Sequence, residues 1–137
     1  MKSIASIINA PEFQACTIHW KGVEFSFWCK VLSSKEHREV TNNFGKDGAL
    51  DLSKYREQTD AFIARCVYVP ATEMADSKRP VVEFTDDDGE SHEVIQWVTR
   101  PEASELKAAL ADKIKVEIET VNRLKVGTEQ DEDLGKE

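Results

Sequence analysis

The sequence predicts a single α+β domain with an N-terminal antiparallel β-hairpin packed with several helices, the last of them long and amphipathic. Three observations favour this class. Residues 17–31 alternate apolar and polar side chains around Lys21-Gly22, a pair that suits a two-residue hairpin turn because glycine tolerates a positive φ. Residues 101–124 repeat apolar side chains at the spacing of an amphipathic helix. The length of 137 residues suits one domain better than two.

Composition and charge narrow the function classes. The formal net charge is −8, so nucleic acid is not an expected partner. The apolar runs are too short for a membrane span. Residues 127–137 are rich in Asp and Glu and have one sizeable apolar side chain, Leu134. We therefore expect one α+β domain at residues 1–126 and an acidic flexible tail at residues 127–137.

The cysteines indicate a reducing compartment. Cys16, Cys29 and Cys66 are odd in number and irregularly spaced, and the N-terminus lacks the basic start and long apolar core of a secretory signal. We expect free thiols in a cytoplasmic protein.

The first elements follow from local patterns. Residues 1–15 have apolar side chains at helical spacing before Pro11, which predicts a short helix or a docking arm. Strands are predicted at 17–20 and 23–31. Trp28 lies on the strand face that should be polar, so either a helix of this chain or another chain is expected to cover that face.

Helices and two further strands follow. Ser33 and Glu36 fit a capping box, and the helix they begin should end near residues 42–48. A second helix is predicted from about residue 53 up to Pro70. Strands are predicted at 81–84 and 92–98, joined by a hairpin turn.

The turn and the final helix complete the predicted fold. The turn is expected at Asp88-Gly89. The final helix should begin at Pro101. Residues 114–119, "IKVEIE", also alternate as a strand would, but length and composition favour a helix.

The stretch "FTDDDGESHE" at residues 84–93 is the most metal-like in the chain. A calcium loop ending its first half at Gly89 would need ligands where Phe84 and Ile95 stand, so a turn is favoured. Zinc binding by Cys16, His19, Cys29 and His37 is disfavoured because the second pair is widely spaced. We expect no cofactor, no metal and no catalytic residues; a small metal-dependent hydrolase using Asp86, Asp88 and His92 is the enzymatic alternative.

Four segments resemble those of a known family. They are "HWKGVEFSFWCKVLSSKE" (19–36), "YREQTDAFIARCVYVP" (55–70), "FTDDDGESHEVIQW" (84–97) and "ELKAALADKIKVEIETVNRL" (105–124). Their pattern and order are similar to those of the tail assembly chaperones of long-tailed, lambda-like bacteriophages. The stretch "ESHEVIQW" is longer and more polar than the family's usual sequence after the Asp-Gly turn.

The resemblance implies a non-enzymatic role in phage tail morphogenesis. Such chaperones bind the tape measure protein, keep it soluble, recruit tail tube subunits, act in the host cytoplasm and are absent from the mature virion. Many also have a longer form made by a ribosomal frameshift, which the ending "LGKE" would suit. We expect self-association, and the side chains expected to bind partners are Trp28, Leu32, Trp97, Leu106 and Leu110. The alternative is another small phage morphogenesis protein for head–tail joining or tail completion.

Overall fold

The computed structural model describes residues 10–41 and 52–122. It confirms the α+β class. The elements are β1 (Phe13–Trp20), β2 (Val23–Lys30), α1 (Ser34–Thr41), α2 (Leu52–Cys66), β3 (Val67–Pro70), β4 (Val81–Thr85), β5 (Ser91–Gln96), α3 (Arg100–Ala103) and α4 (Ala108–Asn122), with a 3-10 turn at Ala71–Met74. The predicted N-terminal segment up to residue 9, the end of the first predicted helix and the acidic tail lie outside the described residues.

The five strands form one antiparallel sheet in the order β1-β2-β3-β5-β4. The predicted first hairpin is confirmed, and its turn residues Lys21 and Gly22 have φ values of 49° and 80°, the left-handed values of a tight hairpin turn. β1 begins at Phe13, four residues earlier than predicted, and pairs with β2 along its full length. Residues 13–15 therefore belong to the sheet and not to an N-terminal helix or arm.

β3 is a strand where the sequence predicted the end of a helix. α2 ends at Cys66, and the next residue begins a strand that pairs with both β2 and β5. The β-branched and aromatic side chains of Val67, Tyr68 and Val69 suit a pleated sheet. The prediction failed because the pairing partners are distant in sequence, and helical spacing alone cannot reveal them.

The long C-terminal amphipathic helix is confirmed as α4, but its predicted start at Pro101 is wrong, because a separate short helix, α3, precedes it. After α3 the amide of Glu105 bonds to Glu102 O, and the hydroxyl of Ser104 donates to Pro101 O at 2.6 Å. This i→i−3 tightening ends the helix, and α4 begins at Ala108. α4 confirms the helical interpretation of "IKVEIE". No helix in the described part of the chain is long and apolar enough to span a membrane.

The main core lies between one face of the sheet and the helices. The fully buried side chains at its centre come from α2, α4, β2, β3 and β5: Cys29, Ile63, Cys66, Val67, Ile95, Ile114 and Ile118. The Ser33–Glu36 capping box predicted for α1 is present in both directions, at 3.1 Å each way. It fixes the angle at which α1 leaves β2.

Asn122 joins the end of α4 to the chain that follows β2. Its Oδ1 accepts the amide of Leu32 at 2.6 Å, and its Nδ2 donates to Lys30 O and Ile118 O, both at 3.1 Å. The side-chain amide of Asn122 therefore forms hydrogen bonds with three backbone groups. Two of these groups, at Lys30 and Leu32, are about ninety positions away in sequence. A polar residue at a helix end gives no sign of this role in the sequence.

We expect Asn122→Asp to lower the free energy of unfolding by about 1–3 kcal/mol, because a carboxylate cannot donate and would face the carbonyls of Lys30 and Ile118. Urea unfolding monitored by circular dichroism measures the change. Thr120→Val on the exposed side of α4 is the control, and its effect should be within about 0.5 kcal/mol. Equal effects of the two substitutions would contradict the joining role of Asn122.

The second face of the sheet is covered by the sheet itself. Phe13 of β1 and Phe84 of β4 lie on opposite edge strands, yet their ring centroids are 4.6 Å apart. Adjacent strands are about 4.8 Å apart, so these edges would be roughly 19 Å apart in a flat sheet. The sheet therefore curls, and the β4–β5 hairpin folds over the β1–β2 hairpin.

A second apolar cluster fills the inside of this curl. Phe13, Phe84 and Val94 are its buried members, with exposed fractions of 6%, 4% and 0%. Trp28 and Tyr68 pack against them, and the Trp28 ring is 4.9 Å from that of Phe84. The sequence predicted that either a helix or another chain covers Trp28. In the structure a hairpin of the same chain does so.

Candidate functional site

The tip of the β4–β5 hairpin is organised by Asp86. The loop spans residues 86–90, longer than the predicted two-residue turn, and Gly89 has a φ of 85°. Oδ1 of Asp86 accepts the amides of Asp88 and Glu90, each at 2.9 Å. Its Oδ2 accepts Nε2–H of His92 at 2.7 Å. The hydrogen bond from His92, followed by the amide of Glu90, holds the pKa of Asp86 below its usual value.

The same loop brings together three groups that could coordinate a divalent cation. The ligand atoms of Asp86, Glu90 and His92 lie within 4.8 Å of one another. Asp88, which the hydrolase alternative requires, is exposed and is not in this group. Both carboxylate oxygens of Asp86 already accept hydrogen bonds that hold the turn. These hydrogen bonds within the loop account for the arrangement.

The disfavoured zinc ligands are not brought together. Cys16 faces the main core, whereas His19 is exposed on the opposite face of β1. The thiols of Cys16, Cys29 and Cys66 are free and buried. The hydrogen bond to Cys29, together with burial, raises the pKa of Cys16. At Cys29 the hydrogen bond with Cys16 lowers the pKa, whereas the hydrogen bond with Cys66 and burial raise it. The net result is a raised pKa for Cys29 as well. Raised pKa values disfavour the thiolate that zinc binding and nucleophilic chemistry need.

The five side chains expected to bind partners do not form one surface. Trp28 packs in the second cluster. Leu32, Trp97, Leu106 and Leu110 are partly buried against the main core, and the ring of Trp97 is 4.8 Å from that of Phe25. Their partial exposure follows from packing within this chain. Leu32 also lines a surface cavity.

Two adjoining cavities form the groove that Leu32 borders. Their volumes are about 550 Å³ and 340 Å³, and both are walled by Lys30, Glu36 and Tyr68. We call the two together the Tyr68 groove. The larger cavity lies against α1 and α2, and the smaller one against residues 10–13, the end of β2 and β4. The apolar residues that line the groove, besides Tyr68, are Ala10, Pro11, Phe13, Val31, Leu32, Val40, Ala61, Ala64 and Val82.

The wall of the groove carries charges of both signs. Lys30 Nζ and Glu36 Oε2 form an ion pair of 2.8 Å between the two cavities, with about a quarter of each side chain exposed. Burial acts to raise the pKa of Glu36. The Lys30 ammonium and the hydrogen bonds of the Ser33 cap outweigh burial and hold this pKa below its usual value. Arg65 and Glu39 form a second pair at 2.9 Å. The groove thus combines apolar walls with charged side chains, four of which are held in ion pairs.

Tyr68 stands at the junction of the two cavities. Its ring packs edge-on against Phe13 with centroids 4.9 Å apart, and burial raises the pKa of its phenol. The position was missed by sequence reasoning because residues 67–70 were assigned to a helix. The available signal was the β-branched and aromatic run before Pro70.

Comparison with family models, with curated proteins and with solved structures finds no match to this chain.

Proposed function

We propose that this protein is a non-enzymatic tail assembly chaperone of a long-tailed, lambda-like bacteriophage. It binds the tape measure protein, keeps it soluble and recruits tail tube subunits in the host cytoplasm. It also self-associates, and it leaves before the virion matures. The observation that carries the proposal is the Tyr68 groove, because a surface groove with apolar walls and charges of both signs is suited to an amphipathic helix.

The chemistry of the groove fits a helical client. An amphipathic helix has an apolar stripe flanked by charged side chains. The apolar walls at Val31, Leu32 and Val82 would receive such a stripe. The ion pairs Lys30–Glu36 and Arg65–Glu39 offer both signs of charge to the polar flanks. A net charge of −8 would keep a complex with an apolar client soluble.

Two valine-to-arginine variants test whether the client binds in the groove. One changes Val31, directly after β2, and the other changes Val23, the first residue of β2. Val31 lines the groove, whereas Val23 is 64% exposed at the far end of β2. The protein is co-expressed with a tagged fragment of the tape measure protein of the same phage, and the amount retained is measured. We expect Val31→Arg to lower retention at least about tenfold by placing a charge on an apolar wall. Val23→Arg should leave retention unchanged.

Circular dichroism confirms that both variants fold. No retention of the fragment by the unaltered protein, or equal retention by the two variants, would overturn the proposal. Proteomic analysis of purified virions separates the chaperone from the alternative of a head–tail joining or tail completion protein, since such a protein remains in the particle. Metal analysis of the purified protein tests the alternative of a small metal-dependent hydrolase using Asp86, Asp88 and His92.

A further inference from the structure

The outer edge of β1 carries backbone groups that no other strand of the described residues uses. β1 is an edge strand and pairs with β2 alone. The amide of Val31 bonds to Glu12 O, and the turn at Lys21-Gly22 closes the same register. In antiparallel pairing the residues that bond across the ladder alternate. The amides and carbonyls of Phe13, Ala15, Thr17 and His19 therefore point away from β2.

β1 lacks the features that usually protect an edge strand. Proteins place charged side chains, prolines or bulges on exposed edges to prevent pairing with another chain. β1, "FQACTIHW", has eight residues and none of these, in a chain with 32% charged residues. The opposite edge, β4, carries a charged side chain, that of Glu83, at its centre. Pairing of β4 with its own copy would bring two Glu83 carboxylates together, whereas β1 meets no such repulsion.

We propose that the edge of β1 is a docking surface for a second copy of this chain, paired antiparallel about a two-fold axis at Thr17. Thr17 of one copy then faces Thr17 of the other, and Ala15 faces His19. The charges at the two ends of the strand support this register. Glu12 precedes β1 and Lys21 follows it, so each glutamate comes next to the lysine of the second copy.

α4 provides a second, independent contact at the same axis. A cavity of about 300 Å³ beside the edge is lined by Thr17, Ile18 and His19 together with Lys113, Val116 and Glu117 of α4. Val116 is 49% exposed there. A two-fold axis at Thr17 brings the two Val116 side chains toward each other and removes apolar surface from water. It also turns Lys113 of one copy toward Glu117 of the other.

One outward group of β1 is already occupied. Lys113 Nζ donates to the carbonyl of His19 at 2.9 Å. A carbonyl oxygen can accept two hydrogen bonds, so the amide of Ala15 from the second copy can still reach it. The surface specifies where the self-association of the proposed function takes place, but it stands on the geometry of β1 and α4 alone.

Sedimentation velocity from about 10 μM to about 1 mM tests the surface, a range suited to weak association. We expect the unaltered protein to show a monomer–dimer equilibrium. Thr17→Lys places two ammonium groups opposite each other and should raise the dimer dissociation constant at least about tenfold. Thr85→Lys, on the exposed edge of β4, is the matched control and should dimerise as the unaltered protein does.

A cross-link tests the register in folded protein. Residues that bond across an antiparallel ladder have Cα atoms about 5.5 Å apart, within the range of a disulfide. Thr17→Cys treated with oxidised glutathione should therefore give a covalent dimer, while Thr85→Cys should not. An unaltered protein that stays monomeric throughout the range, or Thr17→Lys that dimerises normally, would overturn the proposal. Either result is independent of tape measure binding.

Discussion

Phe84→Ala is expected to lower the free energy of unfolding by about 3–5 kcal/mol, the cost of removing a buried aromatic ring and leaving a cavity. Phe84 is 4% exposed and its ring contacts those of Phe13, Trp28 and His92. It sits where the β4–β5 hairpin folds over the β1–β2 hairpin, so its loss should loosen the curl of the sheet. Urea unfolding of the purified variant gives the value.

Val81→Ala is the matched control for this prediction. Val81 lies on the same strand but is 52% exposed, so its truncation should change the free energy of unfolding by no more than about 0.5 kcal/mol. In a flat sheet the face that carries Phe84 would be uncovered, and truncation of Phe84 would cost as little as truncation of the exposed Val81. A loss below about 1 kcal/mol for Phe84→Ala would therefore contradict the second apolar cluster.

Ile114→Ala and Ile118→Ala should each cost about 2–5 kcal/mol, whereas Val116→Ala should cost no more than about 0.5 kcal/mol. Both isoleucines are fully buried, while Val116 is 49% exposed. Residues four apart share one face of a helix, and the residue between them lies on another face. In a strand, all three side chains would lie on the same face.

These three variants therefore distinguish the two interpretations of "IKVEIE" by stability alone. The measurements belong at low protein concentration, where association through Val116 does not contribute. Equal costs at all three positions would show a strand-like environment and contradict α4. A large cost at Val116 alone would place the helix in the wrong rotation about its axis.

The elements that could be predicted from the sequence are those set by neighbours in the chain. The turn at Lys21-Gly22 was predictable because few residue pairs accept two positive φ values. The cap at Ser33 was predictable because its partner, Glu36, is one turn away. The class of the fold followed from these local signals together with the spacing of apolar side chains along the predicted strands and helices.

What the sequence could not show depends on pairing between distant segments. β3 is a strand because β2 and β5 both offer it a ladder. The break after α3 follows from one hydroxyl, that of Ser104, bonding to the backbone in place of an amide. The sequence indicated that the face of β2 that carries Trp28 is covered. No residue near Trp28 in sequence indicated that the β4–β5 hairpin, with Phe84, covers it.

The candidate site shows the same limit. The Tyr68 groove is built from the chain before β1, the ends of β1 and β2, two helices, β3 and β4. Of the five side chains expected to bind partners, Leu32 lines it. The prediction of partner-binding residues relied on apolar side chains that lie outside the expected core face of their strand or helix. Trp97 and Leu110 instead pack against the main core, which period alone cannot distinguish from an exposed patch.

Amide spectra of ¹⁵N-labelled protein, recorded with and without a tape measure fragment of the same phage, test the central claim most directly. Binding in the Tyr68 groove predicts chemical-shift changes concentrated at Val31, Leu32 and Tyr68, with Val23 and the hairpin tip at Gly89 unchanged. Saturable changes confined to the groove would agree with a chaperone that holds an amphipathic helix. An unchanged spectrum, or changes confined to the hairpin tip, would contradict it.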